Sequence, residues 1–271
     1  RSCLVGSEMC IRDRAWQLPA EDAQDIRTRP SSGQIKIVCL CLSRMANFDD
    51  LDPLVHEDNV QLIMLRAGQA IPGDADLVLI PGSKSTRGDL AFLRAQGWDI
   101  DLQAHRRRGG HILGLCGGYQ MLGEVITDPE GLDGLPGECE GLGLLKVTTT
   151  MDAQKTLREV TAQHSKTGLT LKGYEIHLGN TNGPDCQRPF AFIGQKRDRR
   201  PDGACSEDGH VQGSYLHGLF CEDDFRRAFL TRLGAPVSSL SFEKTVDDVL
   251  DQLADHIEQQ LDVDAILACA R

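Results

Sequence analysis

The segment Ile112-Leu-Gly-Leu-Cys-Gly-Gly-Tyr-Gln-Met121 carries the residue best placed to do chemistry. A short apolar run enters Gly114-x-Cys116-x-Gly118, and helix-forming residues follow. This is a cysteine version of the sharp strand-to-helix turn that exposes a nucleophile. Such a turn leaves little room for β-carbons near the nucleophile, which accounts for Gly114, Gly117 and Gly118. The start of the following helix puts partial positive charge beside the sulfur and favours the thiolate. The backbone N–H of Gly117 is placed to donate to an oxyanion. The competing interpretation is a buried structural cysteine in a Gly-rich turn. On this segment alone the two are balanced.

Leu79-Ile-Pro-Gly-Ser-Lys84 ends another apolar run. A Pro-Gly-Ser turn at the carboxyl end of a parallel strand lies where α/β proteins build ligand sites. N–H groups at Gly82 or Ser83 could complete an oxyanion hole, although a plain turn is the simpler interpretation of this segment by itself. A cysteine nucleophile also needs a base, near in space and free to be distant in sequence. His217, in Gly213-Ser-Tyr-Leu-His-Gly-Leu-Phe220 at the end of an expected strand, is the candidate. His177, in Gly173-Tyr-Glu-Ile-His-Leu-Gly179, shares a strand face with Glu175. That pair is expected either beside the site or as a polar sheet face. His105, His111, His164, His210 and His256 sit in polar or helical surroundings and read as surface.

Positioning these groups requires a scaffold. Residues 35–42, 60–65, 77–80 and 112–115 are short apolar runs bounded by turn signals, hence buried strands. Residues 89–95 and 99–108 read as surface helices, and 117–126 as a helix. Short buried strands alternating with helices imply a mostly parallel sheet covered on both faces. The second half is more β-rich, with strands expected over 142–149, 171–178, 190–193 and 211–216. Helices are expected over 223–233 and 245–268. In the latter, Val249, Leu250, Leu253, Ile257 and Leu261 follow helical spacing.

Composition narrows the function class. The chain has 271 residues, 29 Lys+Arg against 40 Asp+Glu, and a formal net charge of −11, which argues against a nucleic-acid partner. No apolar run approaches the roughly 20 residues of a membrane helix, so no membrane partner is expected. Ten cysteines without any CxxC fit neither a small disulfide scaffold nor a compact metal-ligand set. Reduced thiols in the cytoplasm, and no metal, are the expectation. The polar stretch ending in Pro30-Ser-Ser-Gly33 reads as a linker. Residues 1–14 fit no helix or strand period and are expected to be foreign sequence.

Taken together, Cys116-Gly-Gly-Tyr-Gln120, Pro81-Gly-Ser-Lys84, Gly173-Tyr-Glu-Ile-His177 and Ser214-Tyr-Leu-His-Gly-Leu-Phe220 resemble the class I glutamine amidotransferase domain of the cobyric/cobyrinic acid synthase type. Asn47-Phe-Asp-Asp-Leu-Asp-Pro53 and Gly141-Leu-Gly-Leu-Leu145 resemble its cobyric acid branch. The resemblance implies a class I glutamine amidotransferase-like (flavodoxin-like) α/β fold, with a mostly parallel sheet and helices on both faces. It implies that Cys116 attacks the side-chain amide of L-glutamine, forming a γ-glutamyl thioester and releasing ammonia, with His217 as the base. Gly82, Ser83 and Gly117 match the oxyanion and substrate cradle, and Gln120 matches a position beside the bound glutamine. The wider class carries His-x-Glu, whereas the residue two after His217 is Leu219, a lack that this branch shares. A Cys–His dyad, or a carboxylate borrowed from Glu175, is then expected.

The resemblance further implies a synthetase domain that uses ATP and Mg2+ to amidate a corrinoid, adenosylcobyrinic acid a,c-diamide, with the ammonia released here. No G-x-x-x-x-G-K-[ST] occurs in this chain, so that domain is expected upstream and no cofactor is expected in the chain itself. The expected organisation is foreign sequence at 1–14, a remnant and linker at 15–34, an amidotransferase domain at 35–233, and a helical extension at 234–271. The alternatives are an amidotransferase acting on cobyrinic acid or on a cell-wall lipid precursor, a cysteine peptidase on a similar scaffold, and a non-catalytic interaction domain.

Overall fold

The computed structural model describes residues 34–154, 156–194 and 198–269, so the expected foreign segment 1–14 and nearly all of the 15–34 linker lie outside the described residues. The first half runs β1 (Ile35–Leu40), β2 (Val60–Leu65), β3 (Leu77–Ile80), α1 (Thr86–Ala95), α2 (Trp98–Arg107), β4 (His111–Leu115) and α3 (Gly117–Leu122). The second half adds β5 (Thr156–His164), β6 (Thr170–His177), β7 (Val211–Ser214), β8 (Leu216–His217), α4 (Asp223–Arg232), α5 (Phe242–Gln260) and α6 (Val263–Cys269), with shorter strands between them.

The central sheet has the order β2–β1–β3–β4–β7, with every neighbour parallel, and the short strand Ala204–Cys205 closes its far edge antiparallel. All four residues of β3 and of β7 are buried, as are the last four of β4. Strands covered on both faces favour apolar or small residues, which is why these runs do not alternate, and the buried Gln212 of β7 donates to the Cys205 sulfur. Parallel pairing also aligns the carboxyl ends of the strands. The chain leaving β1 carries Asp50, that leaving β3 carries Gly82 and Ser83, that leaving β4 carries Cys116, and β7 runs almost directly into His217. One end of the sheet therefore collects the reactive groups.

A second, antiparallel sheet has the order Arg200–Asp202, Ala191–Ile193, β5, β6, β8. The chain passes from one sheet to the other at Tyr215, between β7 and β8. A third sheet joins Asn180–Asn182, Thr148–Thr150, Val125–Asp128 and Gly137–Glu140. Buried Arg226 of α4 ties the helix to the segment that follows Asp50, bonding Glu57, Asp223 and the carbonyls of Phe220 and Leu240.

Several sequence expectations change. Helix α3 stops at Leu122 because Gly123 turns extended, and Val125–Ile126 belong to a strand whose residues alternate in burial. Of the expected strand 142–149 only the last two residues are in a strand, Thr148–Thr150, while β5 and Gly137–Glu140 are strands that the apolar pattern does not reveal. Their exposed charged residues break the hydrophobic signal. The expected helix 245–268 is two helices. Leu261 is extended, and the Asp262 carboxylate accepts the Ala265 N–H to start α6. His105 and His164 are buried rather than surface, at 1% and 4% exposure.

The turn after β4 is held by close backbone approach. A β-carbon on Gly118 would lie 2.0 Å from the Ile80 carbonyl oxygen of the neighbouring strand. Gly118→Ala is expected to lower the melting temperature by the equivalent of about 1–3 kcal/mol. A calorimetric melt indistinguishable from wild type would contradict this packing.

Candidate active site

Cys116 sits between β4 and α3 at φ 50° and ψ −110°, one of only two non-glycine residues with positive φ among those described. A β-substituted residue in that region is strained, and the strain is held by its surroundings. Its N–H donates to the Ser214 carbonyl of β7, and its carbonyl accepts from Gln120 N–H at the first turn of α3. The thiol points off the sheet end and donates to the Ile176 carbonyl of β6 at 3.1 Å.

His217 is fully buried. Its Nδ1 bonds Asp50 Oδ2 at 2.6 Å, and the other Asp50 oxygen accepts the Gly218 N–H at 2.7 Å. The remaining ring nitrogen, Nε2, has no hydrogen-bond partner among the described residues. Burial works against a charged ring here. Asp50, together with the Cys116 sulfur, outweighs it and holds the imidazole well above its usual range. An acid–base chain therefore runs from a buried carboxylate, through an imidazole of fixed orientation, toward a thiol.

Glu175 does not reach this imidazole. Register places Tyr174 opposite His217 and Glu175 opposite Leu216, so alternation turns the Glu175 side chain to the other face of the sheet. There its carboxylate bonds Arg158 at 2.7 Å and also Arg200, with His177 Nε2 3.8 Å away. Burial pushes Glu175 up, but His177 and the two arginines outweigh it and bring it down to about 2. A carboxylate depressed in this way stabilises the fold above its unfolded value near 4.5 and loses that contribution as the pH falls toward 2. Glu175→Gln is thus expected to melt earlier than wild type at neutral pH. The gap should close below pH 4.5 in circular-dichroism melts, and a gap independent of pH would contradict the ion-pair reading.

Asp50 escaped the sequence analysis because it lies far upstream of both partners. A signal was present. In the 3-10 turn Phe48–Leu51, the buried residues are Phe48, Asp50 and Leu51, so a carboxylate shares the apolar side.

Gly82 packs beside the His217 ring, with only 3.3 Å between Cε1 and the point where a β-carbon would stand. Ser83 N lies 3.1 Å from the corresponding point on Gly117, so the two turns meet next to the sulfur. Gly82–Ser83 pairs antiparallel with Met45–Ala46, and the Ser83 hydroxyl donates to Asp89. This turn offers the cavity backbone rather than a hydroxyl. Gln120 is 2% exposed and its amide is committed: Oε1 accepts from Thr86, while Nε2 donates to the Leu178 carbonyl and the Tyr215 hydroxyl. It ties α3 to the start of α1, to the residue after β6 and to the link between β7 and β8. Cys116, Gln120, Ser83 and Tyr174 line one cavity of about 940 Å³, ample for an amino acid.

The fold matches that of solved structures. PurLQS from Thermotoga maritima superposes with a TM-score of 0.53 at 17% identity, over 81% of this chain and 99% of that one. The crystal structure of a glutamine amidotransferase gives 0.51 at 18% identity, over 72% of this chain and 97% of that one. At such identities the likeness is one of fold. The chain belongs to the CobB/CobQ-like glutamine amidotransferase domain family, whose profile matches residues 36–225. Among similar proteins are the cobyric acid synthase of Bradyrhizobium diazoefficiens, 61% identical over 258 residues, and that of Cereibacter sphaeroides (strain ATCC 17023), 58% identical over 254. These alignments cover 95% and 94% of this chain but 53% and 52% of the relatives, so the chain spans about half the length of the curated relatives it matches.

Proposed function

We propose that this chain is the ammonia-generating half of a cobyric acid synthase, with Cys116, His217 and Asp50 as its catalytic triad. The observation that carries the reading is the buried Asp50–His217 pair directed at a thiol on a strained turn. His217 Nε2 takes the Cys116 proton as the thiol turns from Ile176, and the sulfur attacks Cδ of the glutamine side chain. Backbone N–H groups near Gly117 and Ser83 stabilise the oxyanion. The imidazolium then protonates the departing nitrogen, which leaves as ammonia, and the C–S bond of a γ-glutamyl thioester remains. Water activated by His217 hydrolyses that thioester, freeing glutamate and the thiol. Asp50 holds the ring so that Nε2 faces the sulfur and stabilises its charged form.

Cobyric acid synthase identity near 60% supports a corrinoid carboxylate as the final acceptor of the ammonia. The partner is then an N-terminal synthetase domain, which supplies ATP and Mg2+ chemistry and binds adenosylcobyrinic acid a,c-diamide. We place residues 35–233 as the amidotransferase domain and 234–271 as a helical extension, in a cytoplasmic enzyme. Among the described residues no helix is long and apolar enough to cross a membrane.

A direct assay separates this reading from a peptidase on a similar scaffold. The 271-residue chain is expected to release ammonia from free L-glutamine and to leave peptides intact. Peptide cleavage without ammonia release would overturn the proposal.

A further inference from the structure

We propose that Tyr174 is a positioning residue for His217, held in place by Asn47 and Asp49. The inference rests on the triad reading above. Asp50 fixes one edge of the imidazole, and something must also fix its plane. The Tyr174 ring stacks on His217, with centroids 5.2 Å apart and planes 20° from parallel. The hydroxyl of Tyr174 is locked at both ends: Asn47 Nδ2 donates to it at 2.8 Å, and it donates to Asp49 Oδ2 at 3.0 Å.

These anchors belong to the same segment as Asp50. Asn47, at φ 58°, starts the 3-10 turn that delivers Asp49 and Asp50 side by side. Burial and the neighbouring Asp50 charge push the Asp49 carboxyl upward, so a hydroxyl donor is the partner that eases its position. Adjacent carboxylates thus serve one ring in two ways. Asp50 bonds its Nδ1, and Asp49 fixes the tyrosine that covers its face. A β-carbon at Gly173 would lie 1.9 Å from the His217 carbonyl oxygen, so glycine there lets β6 bring Tyr174 this close.

A ring free to tilt presents Nε2 to the sulfur for a smaller part of the time. Small misplacements of a catalytic group cost large factors in rate. Tyr174→Leu removes the stack and the anchor, Tyr174→Phe removes only the anchor, and Asn47→Gly removes a donor while accepting the positive φ. The test measures iodoacetamide alkylation of Cys116 against pH, read by peptide mass spectrometry, beside kcat and KM for L-glutamine. Tyr174→Leu is expected to move the alkylation profile to higher pH by about one unit and to lower kcat roughly ten- to a hundredfold with KM little changed. Tyr174→Phe should recover most of this loss, and Asn47→Gly should behave like Tyr174→Phe.

An unshifted profile with unchanged kcat in folded variants overturns the proposal, as does a rise in KM alone, which would make Tyr174 a substrate contact. If Tyr174→Leu does not fold, Tyr174→Met, which also removes the stack on His217, takes its place with the same expected and contradicting results. If the wild-type chain hydrolyses no glutamine, the functional reading fails, while the alkylation profiles still decide the role of Tyr174.

Discussion

Cys116→Ala is expected to abolish glutamine hydrolysis, with a loss on the order of 10⁴-fold or more. Among the described residues no other cysteine lines the cavity. The sulfur must sit at the end of the central sheet, beside His217 Nε2 and the meeting point of the Gly117 and Ser83 turns. Cys39 and Cys205 are buried within the sheet, and burial raises both thiols. The fold should survive, because alanine keeps the β-carbon that the strained turn already accommodates. The measurement is ammonia release at saturating glutamine, with a melt to confirm folding. Retention of wild-type activity would remove Cys116 from the mechanism.

Asp50→Asn is expected to lower kcat by on the order of 10²- to 10⁴-fold with KM nearly unchanged. The asparagine oxygen can still accept the Gly218 N–H, but its amide then donates toward His217 Nδ1. That stabilises the ring with its proton on Nε2, the wrong tautomer for a base facing a thiol. Asp50 is 2% exposed and is not among the residues lining the cavity, so KM is expected to hold. Glu175→Gln is the matched control, because that carboxylate serves Arg158 and Arg200 on the other face of the sheet. It should leave kcat within a few-fold of wild type. Steady-state kinetics in which Glu175→Gln is the more damaging change would restore Glu175 as the orienting group.

The contrast between these two acids marks where sequence reasoning reached its limit. The parallel strands were legible because burial on both faces makes them continuous apolar runs, as in Leu77–Ile80. Strands β5 and Gly137–Glu140 were hidden because half-exposed strands carry Arg and Glu in place of an apolar signal. Cys116 was legible through its glycines, whose absence of side chains answers a steric demand that acts locally. Asp50 was not, because its role is set by parallel register, which places the exits of β1 and β7 at the same end of the sheet. Glu175 looked suitable as the acid of the Gly173-Tyr-Glu-Ile-His177 motif, two residues before His177, yet one step along a strand reverses the side chain. Tyr174, at the neighbouring position, is the residue that faces the imidazole.

The central claim is that Cys116 forms a covalent γ-glutamyl thioester with glutamine. Rapid acid quenching of the chain mixed with L-glutamine, followed by intact and peptide mass spectrometry, tests it most directly. The account predicts a mass gain of one γ-glutamyl group on Cys116, absent from Cys116→Ala and strongly reduced in Asp50→Asn. Ammonia release with no adduct on Cys116, or an adduct on any other residue, would contradict it.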